Sequence, residues 1–315
     1  MRQCCWLSTK SGKRNKLYER VYLWRESMIN EKSLEEARAW IGRSKTLEGI
    51  VTPYAASCMA ATLDRKSFEF QNGDDVPSVW YRLGFPELSP LSACGRDGHP
   101  ALGEFMPPSP LPRRMYGGTT MTFNHPVRVG EPITKIMSIA DVTAKEGRSG
   151  DLMFVTVRQE IADKDGVAIT DDRMQIYRGE ATAGSSASHK PAQPPEGAQW
   201  IKEIEPSPIL LFRFSALTMN SHRIHYDRSY VTEVEGYPGL VFNGGLTMIM
   251  LLELFHENKP KATLKTIKVM ARSALYDIAP FTVNGKEGEE PGTASLWAVN
   301  PTGGLAYTVD VEYEE

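Results

Sequence analysis

No stretch of this chain is apolar for long enough to cross a bilayer. The best run, LTMIMLLELF at 246–255, carries Glu253 and falls well short of the ~20 residues a span requires. Cysteine is sparse: Cys4, Cys5, Cys58 and Cys94 form neither a CxxC pair nor a regular framework. That argues against a disulfide-stapled secreted domain or a zinc ribbon and favours a reducing compartment. Charge of one sign is also missing. Thirty-six Lys and Arg face 39 Asp and Glu, for a net charge of -3. Without a global basic footprint, a nucleic-acid partner is not expected. Histidine is scarce as well, with six in 315 residues.

With 41% hydrophobic residues the chain has material for a sizeable core, in one large domain or two ordinary ones. Its first 28 residues carry seven Lys or Arg against two Glu. Residues 1–30 are expected to be a disordered or non-native extension, with a transit peptide as the other reading. The expected location is cytoplasmic, or the mitochondrial matrix under that second reading.

From residue 31 onward, helices precede strands. SLEEARAWIGRS (33–44) reads as a helix capped by Ser33, and TPYAASCMAATLDR (52–65) as a second with Pro53 in its first turn. Residues 66–118 are rich in Pro and Gly and too long for a plain connection, so they are expected to cover something. Four strand-like segments follow between 119 and 179, rich in β-branched residues, with DKDG as a hairpin turn. Residues 181–199 have the composition of a linker. The second half repeats the order: a polar helical segment (213–235), an apolar helix (244–256), then four more strand candidates. This predicts an α+β fold from a duplicated unit, 31–180 and 200–315, with antiparallel sheets and helices on one face.

The apolar helix opens at NGGLTM. Asn243 is suited to cap it, and Gly244 and Gly245 leave bare amides at the positive end of the helix dipole. Such amides suit an oxyanion, for example a thioester carbonyl gaining charge. An apolar helix wrapped by an antiparallel sheet is the hot-dog architecture, here expected twice.

FRFSALTMNSHRIHYDR (212–228) holds two of the histidines. His222 and His225 lie three apart, so both can face one pocket. The segment resembles the motif F-x-x-[LV]-S-G-D-x-N-P-[IL]-H of the MaoC-like hydratases, on which Phe214, Leu217, Thr218, Asn220, Ile224 and His225 fall without a gap. LPRRMYGG, EVEGYPGLV and IADVTAKEGRSGDLMFVTVRQEI extend the likeness to the two-hot-dog branch, the type 2 hydroxyacyl-thioester dehydratases and mesaconyl-CoA hydratases. The likeness covers roughly residues 31–313.

The resemblance implies a hydro-lyase acting on an enoyl or 3-hydroxyacyl thioester. His225 would move the proton. Asn220 stands where the family has Asp; it cannot take a proton at neutral pH and would orient the water. Gly244 and Gly245 would hold the oxyanion, with Asn243, Thr218, His222, Arg223 and Arg213 near the substrate. A second carboxylate on the substrate would meet Arg213 or Arg223, and coenzyme A phosphates would meet Arg113 or Arg114. Thr218 and Ser221 are expected to bond to local backbone. No metal and no cofactor are expected, because no third ligand accompanies the histidine pair. The first half, without a histidine between Thr46 and Arg65, is expected to shape the acyl pocket only. The expected partner is an acyl-CoA or acyl-carrier-protein thioester, with neither nucleic acid nor membrane, and a homodimer is possible. A short branched or dicarboxylic acyl-CoA of mesaconyl type is favoured over a fatty acyl chain. A non-catalytic thioester-binding protein and a thioesterase are the competing readings.

Overall fold

A computed structural model describes residues 29–86, 88–99, 105–147, 150–179 and 192–315. Residues 1–28 of the expected extension and most of the expected linker lie outside the described residues, while Ile29 and Asn30 are ordered ahead of the first helix.

Among the described residues ten strands form one antiparallel sheet: β1 (Ser44–Ile50), β2 (Arg113–Phe123), β3 (Pro132–Gly147), β4 (Gly150–Asp163), β5 (Gly166–Arg178), β6 (Trp200–Ile204), β7 (Thr263–Ala271), β8 (Phe281–Glu287), β9 (Thr293–Val299) and β10 (Leu305–Glu314). Their order is β1-β3-β4-β5-β2-β7-β10-β9-β8-β6. Read inward from either edge, the order is the same: first, third, fourth, fifth, second of each half. The duplication that the element order predicted is therefore present as topology.

The helices repeat less faithfully. After the first strand of each half comes a helix of one design. α2 (Pro53–Thr62) is capped by the Thr52 hydroxyl and α3 (Pro208–Leu217) by that of Ser207, each with proline in its first turn. Before the second strand the halves part. The C-terminal half has α4 (Gly244–Asn258), with Leu246, Met248, Ile249, Leu251, Leu252, Leu254 and Phe255 all buried. Each such side chain contributes roughly 1.5–3 kcal/mol relative to exposure. Among the described residues, the matching stretch of the N-terminal half has only short 3-10 turns, Trp80–Gly84 and Leu91–Ala93. Trp80 and Tyr81 join the main core there, beside Met59 of α2.

Two details of the sequence reading are corrected at helix starts. The first helix, α1, runs Glu31–Arg38, so Asn30 is its cap and Ser33 is the third helical residue that bonds back to it. Asn243 precedes α4 but its side chain makes no cap bond. The polar segment 213–235 is not one helix. α3 ends at Leu217, a 3-10 turn covers Arg223–His225, and a single wide turn spans Tyr230–Val234. No helix among the described residues is long and apolar enough to cross a membrane.

The seam between halves is the β2–β7 ladder, Gly118 to Thr122 against Met270 to Thr266. Gly118 sits there at φ +149°, and a Cβ on it would lie 2.2 Å from the Val269 carbonyl oxygen. Backbone cannot move aside as a flexible side chain can. Gly118→Ala is therefore expected to cost about 2 kcal/mol or more in denaturant unfolding, a large effect for one methyl group. A change below about 0.5 kcal/mol would mean that the seam is looser than the register indicates.

Candidate active site

The turn after α3 carries the histidines. Thr218 ends the helix by donating its hydroxyl to the Phe214 carbonyl at 2.9 Å, a local bond as expected. Met219 then adopts φ +52°, the left-handed region, at the position where the family motif has glycine. This reverses the chain, and the Asn220 N–H closes back on the Ser215 carbonyl at 2.9 Å. The Asn220 side-chain oxygen accepts the His222 N–H at 3.2 Å. Its amide nitrogen makes no such bond to the turn.

His225 is buried, 8% exposed. Its Nδ1 lies 2.7 Å from the Val241 carbonyl oxygen. A carbonyl can only accept, so Nδ1 carries the proton and donates it. Nε2 is left with the lone pair, the tautomer a general base needs. Burial pushes the imidazole down to about 4, against the Val241 bond, which raises it, while His99 lowers it further. His222 is also held at about 4, by burial and then by His99 and His225.

His225 shares a cavity of about 300 Å³ with Asn220, Thr218, Phe214 and the start of α4, Asn243, Gly244 and Gly245. A Cβ at Gly244 or Gly245 would meet its nearest neighbours, Tyr307 and Phe214, at 3.8 and 3.5 Å. Packing therefore does not demand these glycines; they leave room in front of the amides. Asn243 is 3% exposed, and neither end of its side chain has a hydrogen-bond partner among the described residues. An unsatisfied buried amide in a cavity wall is costly unless a ligand answers it.

The remaining expected residues are placed elsewhere. Arg223 grips Asp227 through Nε and Nη2 at 3.0 and 2.7 Å and donates Nη1 to the Arg96 carbonyl at 3.1 Å. It thus ties the turn to the 94–99 loop, as does the Ser221 hydroxyl, which donates to the Gly98 carbonyl instead of to local backbone. His222 stacks on His99 with ring centroids 4.0 Å apart and meets His225 in a T-shaped contact with centroids 5.6 Å apart. Neither His222 nor Arg223 lines the cavity. Arg213 faces a separate groove of about 1010 Å³ between α3 and α4, with Lys66 and Lys202. Arg113 and Arg114 lie exposed at the start of β2.

The third histidine neighbour that the sequence could not supply comes from the other half. Ligand atoms of Asp97, His99 and His222 lie within 4.8 Å of one another. They are close enough together to hold a metal ion, a grouping that the two histidines of the turn alone did not reveal.

The N-terminal half contributes what sequence reasoning missed. Arg82, Phe85, Lys135, Gln159 and Arg173 complete the cavity wall. A second small space, walled by Met59, Val79, Trp80, Leu83 and Ile249, adjoins it at Arg82, Phe214, Thr218 and Gly245. Residues of the Pro-rich 66–118 stretch thus form the wall expected of it. Arg82 and Arg173 are joined by Asp171, which is fully buried and accepts from Arg173 Nε at 2.9 Å, Arg82 Nη2 at 3.2 Å and the Tyr81 hydroxyl at 2.6 Å. One signal was available. Ile169, Asp171 and Arg173 alternate along β5, so a strand with a buried face carries two charges on that face.

The low imidazole value gives a pH prediction. His225 stays unprotonated well below the usual histidine range, with His222, His99, Arg82, Arg173 and Lys135 as the ionisable groups around it. Turnover is expected to stay level from about pH 8 to about pH 5 and to fall only below that. Stability has the same sign: the unfolded histidines take up protons below about 6.5 and the folded ones not until about 4, so stability falls as pH drops through that window. A pH profile with its half-point near 6.5 would show a solvated base.

Residues 81–277 match the family Hydroxyacyl-thioester dehydratase type 2. The chain is 38% identical over 276 residues to Mesaconyl-C(4)-CoA hydratase of Chloroflexus aurantiacus, covering 87% of this chain and 96% of that protein. It is 28% identical over 251 residues to the mitochondrial Hydroxyacyl-thioester dehydratase type 2 of Schizosaccharomyces pombe, covering 72% and 79%. In structure it resembles a MaoC-like dehydratase from Phytophthora capsici, with a TM-score of 0.66 and 14% identity over 91% of this chain and 98% of the other. That last likeness speaks for the hot-dog fold.

Proposed function

The chain belongs to the type 2 hydroxyacyl-thioester dehydratase family, and from this premise we propose that it reversibly hydrates a short dicarboxylic enoyl-CoA of mesaconyl type. The observation that carries the reading is the shared cavity: one neutral imidazole with its lone pair free, opposite open amides at the start of an apolar helix. The 38% identical relative, a hydratase by name, supports both the direction of the reaction and the acyl class.

In this reading the thioester oxygen rests on the N–H groups of Gly244 and Gly245, where the α4 dipole favours negative charge. Asn243 turns its free amide to the substrate, and the Asn220 amide nitrogen orients a water. His225 Nε2 takes a proton from that water as its oxygen bonds to the β-carbon. The electrons of the double bond shift through the α-carbon onto the thioester oxygen. The same Nε2–H then returns its proton to the α-carbon as the carbonyl re-forms. Dehydration runs the steps in reverse. The N-terminal half contributes wall and charge but no proton-transfer group.

The test is a screen of enoyl-CoA thioesters with and without a distal carboxylate, followed by loss of the conjugated enoyl-thioester absorbance. Absorbance loss that is greatest for a short enedioyl thioester is expected. Greatest turnover with long-chain enoyl thioesters would move the protein to fatty-acid synthesis. Inertness towards every thioester would leave only binding.

A further inference from the structure

We propose that Arg82 and Arg173, held in place by the buried Asp171 carboxylate, are the receptor for a second carboxylate on the acyl group; this rests on the hydration reading above. Neither arginine is the one that sequence position suggested. Arg223 is occupied by Asp227, and Arg213 looks into another groove.

The charge balance of the cavity carries the argument. Its wall holds Arg82 and Arg173, while the imidazole beside them is neutral. The carboxylate paired with the two guanidinium groups is Asp171, one negative charge for two positive. Its ionisation is secure, because Arg173 and Arg82 together outweigh the cost of burying it and hold it far below the usual carboxylate range. Asp171 is itself fixed by the Tyr81 and Thr119 hydroxyls. Arg173 reaches Asp171 through Nε, and its terminal nitrogens make no hydrogen bond among the described residues, while its side chain lines the cavity. An excess of cation in a small, partly closed space demands an anion. A planar fork with free N–H groups suits a carboxylate. A fatty chain in the same place would desolvate the guanidinium groups and return no hydrogen bond.

The chemistry of a short enedioyl monothioester places its carboxylate where these groups stand. In such a substrate the free carboxylate hangs from the β-carbon, the atom that accepts the water oxygen. A receptor must therefore share one cavity with the base, as Arg82 and Arg173 share that of His225. Pairing the carboxylate also removes a negative charge that would oppose attack at the carbon bearing it. Asp171 acts through the arginines and touches no substrate; it is a positioning residue.

The experiment compares inhibition by two saturated, unreactive thioesters, succinyl-CoA and butyryl-CoA. The wild-type protein is expected to bind the succinyl ester more tightly. Arg173→Gln is expected to reduce the ratio of the two inhibition constants by roughly 10²-fold, the usual scale for losing one partner of a desolvated charge pair. Arg173→Lys keeps the charge but gives up the fork, and is expected to fall between. Circular dichroism and a melting curve check that each variant is folded; should Arg173→Gln fail, the lysine variant carries the comparison. An unchanged ratio in a folded variant overturns the receptor. Inertness of the wild type towards every enoyl thioester would instead sink the hydration reading, a separate outcome.

Discussion

Replacing His225 with alanine is expected to lower kcat by about 10³-fold, within the range a positioned acid–base group supplies. The reason is the uniqueness of its geometry. It is the histidine that lines the cavity with the α4 amides, and its proton is already committed on the far side to Val241. His222 stands three residues earlier, yet its ring is spent between His99 and His225. The substitution should therefore not be rescued from within the turn. His222→Ala is expected to have a smaller effect, felt through the position of His225, because no substrate atom meets it. The check is single-turnover loss of enoyl absorbance with folded variants. A His225→Ala variant within about threefold of wild type would remove the assigned base.

Asp171→Asn is expected to cost about 3 kcal/mol of folding stability, more than a surface substitution by several-fold. Asp171 has no exposed surface and receives hydrogen bonds from Tyr81, Thr119, Arg82 and Arg173. The asparagine conserves volume but leaves two guanidinium groups, each about a quarter exposed, with no counter-charge. It also replaces an acceptor oxygen with a donor that faces other donors. Partial exposure of the arginines sets the figure at the low end of the range for a broken buried pair. Equilibrium denaturation measures it directly. A loss below about 1 kcal/mol would mean that solvent already screens the cluster.

Much of the fold was legible in the sequence because it is written in local pattern. β2–β5 and β7–β10 announce themselves by β-branched residues and turn chemistry, and α4 by unbroken apolarity. β1 and β6 were missed. SKTLEGI and WIKEI read as polar because they form the two edges of the sheet, where one side of the strand has no partner to bury it. Asn30 was passed over for Ser33 because both residue types cap helices, and only the backbone shows which stands outside the first turn.

The site divides along the same line. His225, Asn220, Thr218, Asn243, Gly244 and Gly245 lie close in sequence to a motif or a helix start, and the fold brings them to one cavity. The arginine pair was not found from sequence because its position depends on long-range register. Arg82 leaves a 3-10 turn and Arg173 a strand, joined through Asp171 within the N-terminal half, and they reach the cavity of His225 only because the β2–β7 seam sets one half against the other. His99 and Asp97 escaped for the same reason, more than a hundred residues from the turn they brace.

The most direct measurement of the central claim is incubation of a short trans-enedioyl monothioester with the protein in deuterium oxide, followed by proton NMR and a thiol assay. Addition of water through one imidazole predicts a single hydroxy thioester, with one deuterium at the α-carbon on one face and no free coenzyme A. Release of free thiol with the double bond intact would contradict it and make the protein a thioesterase.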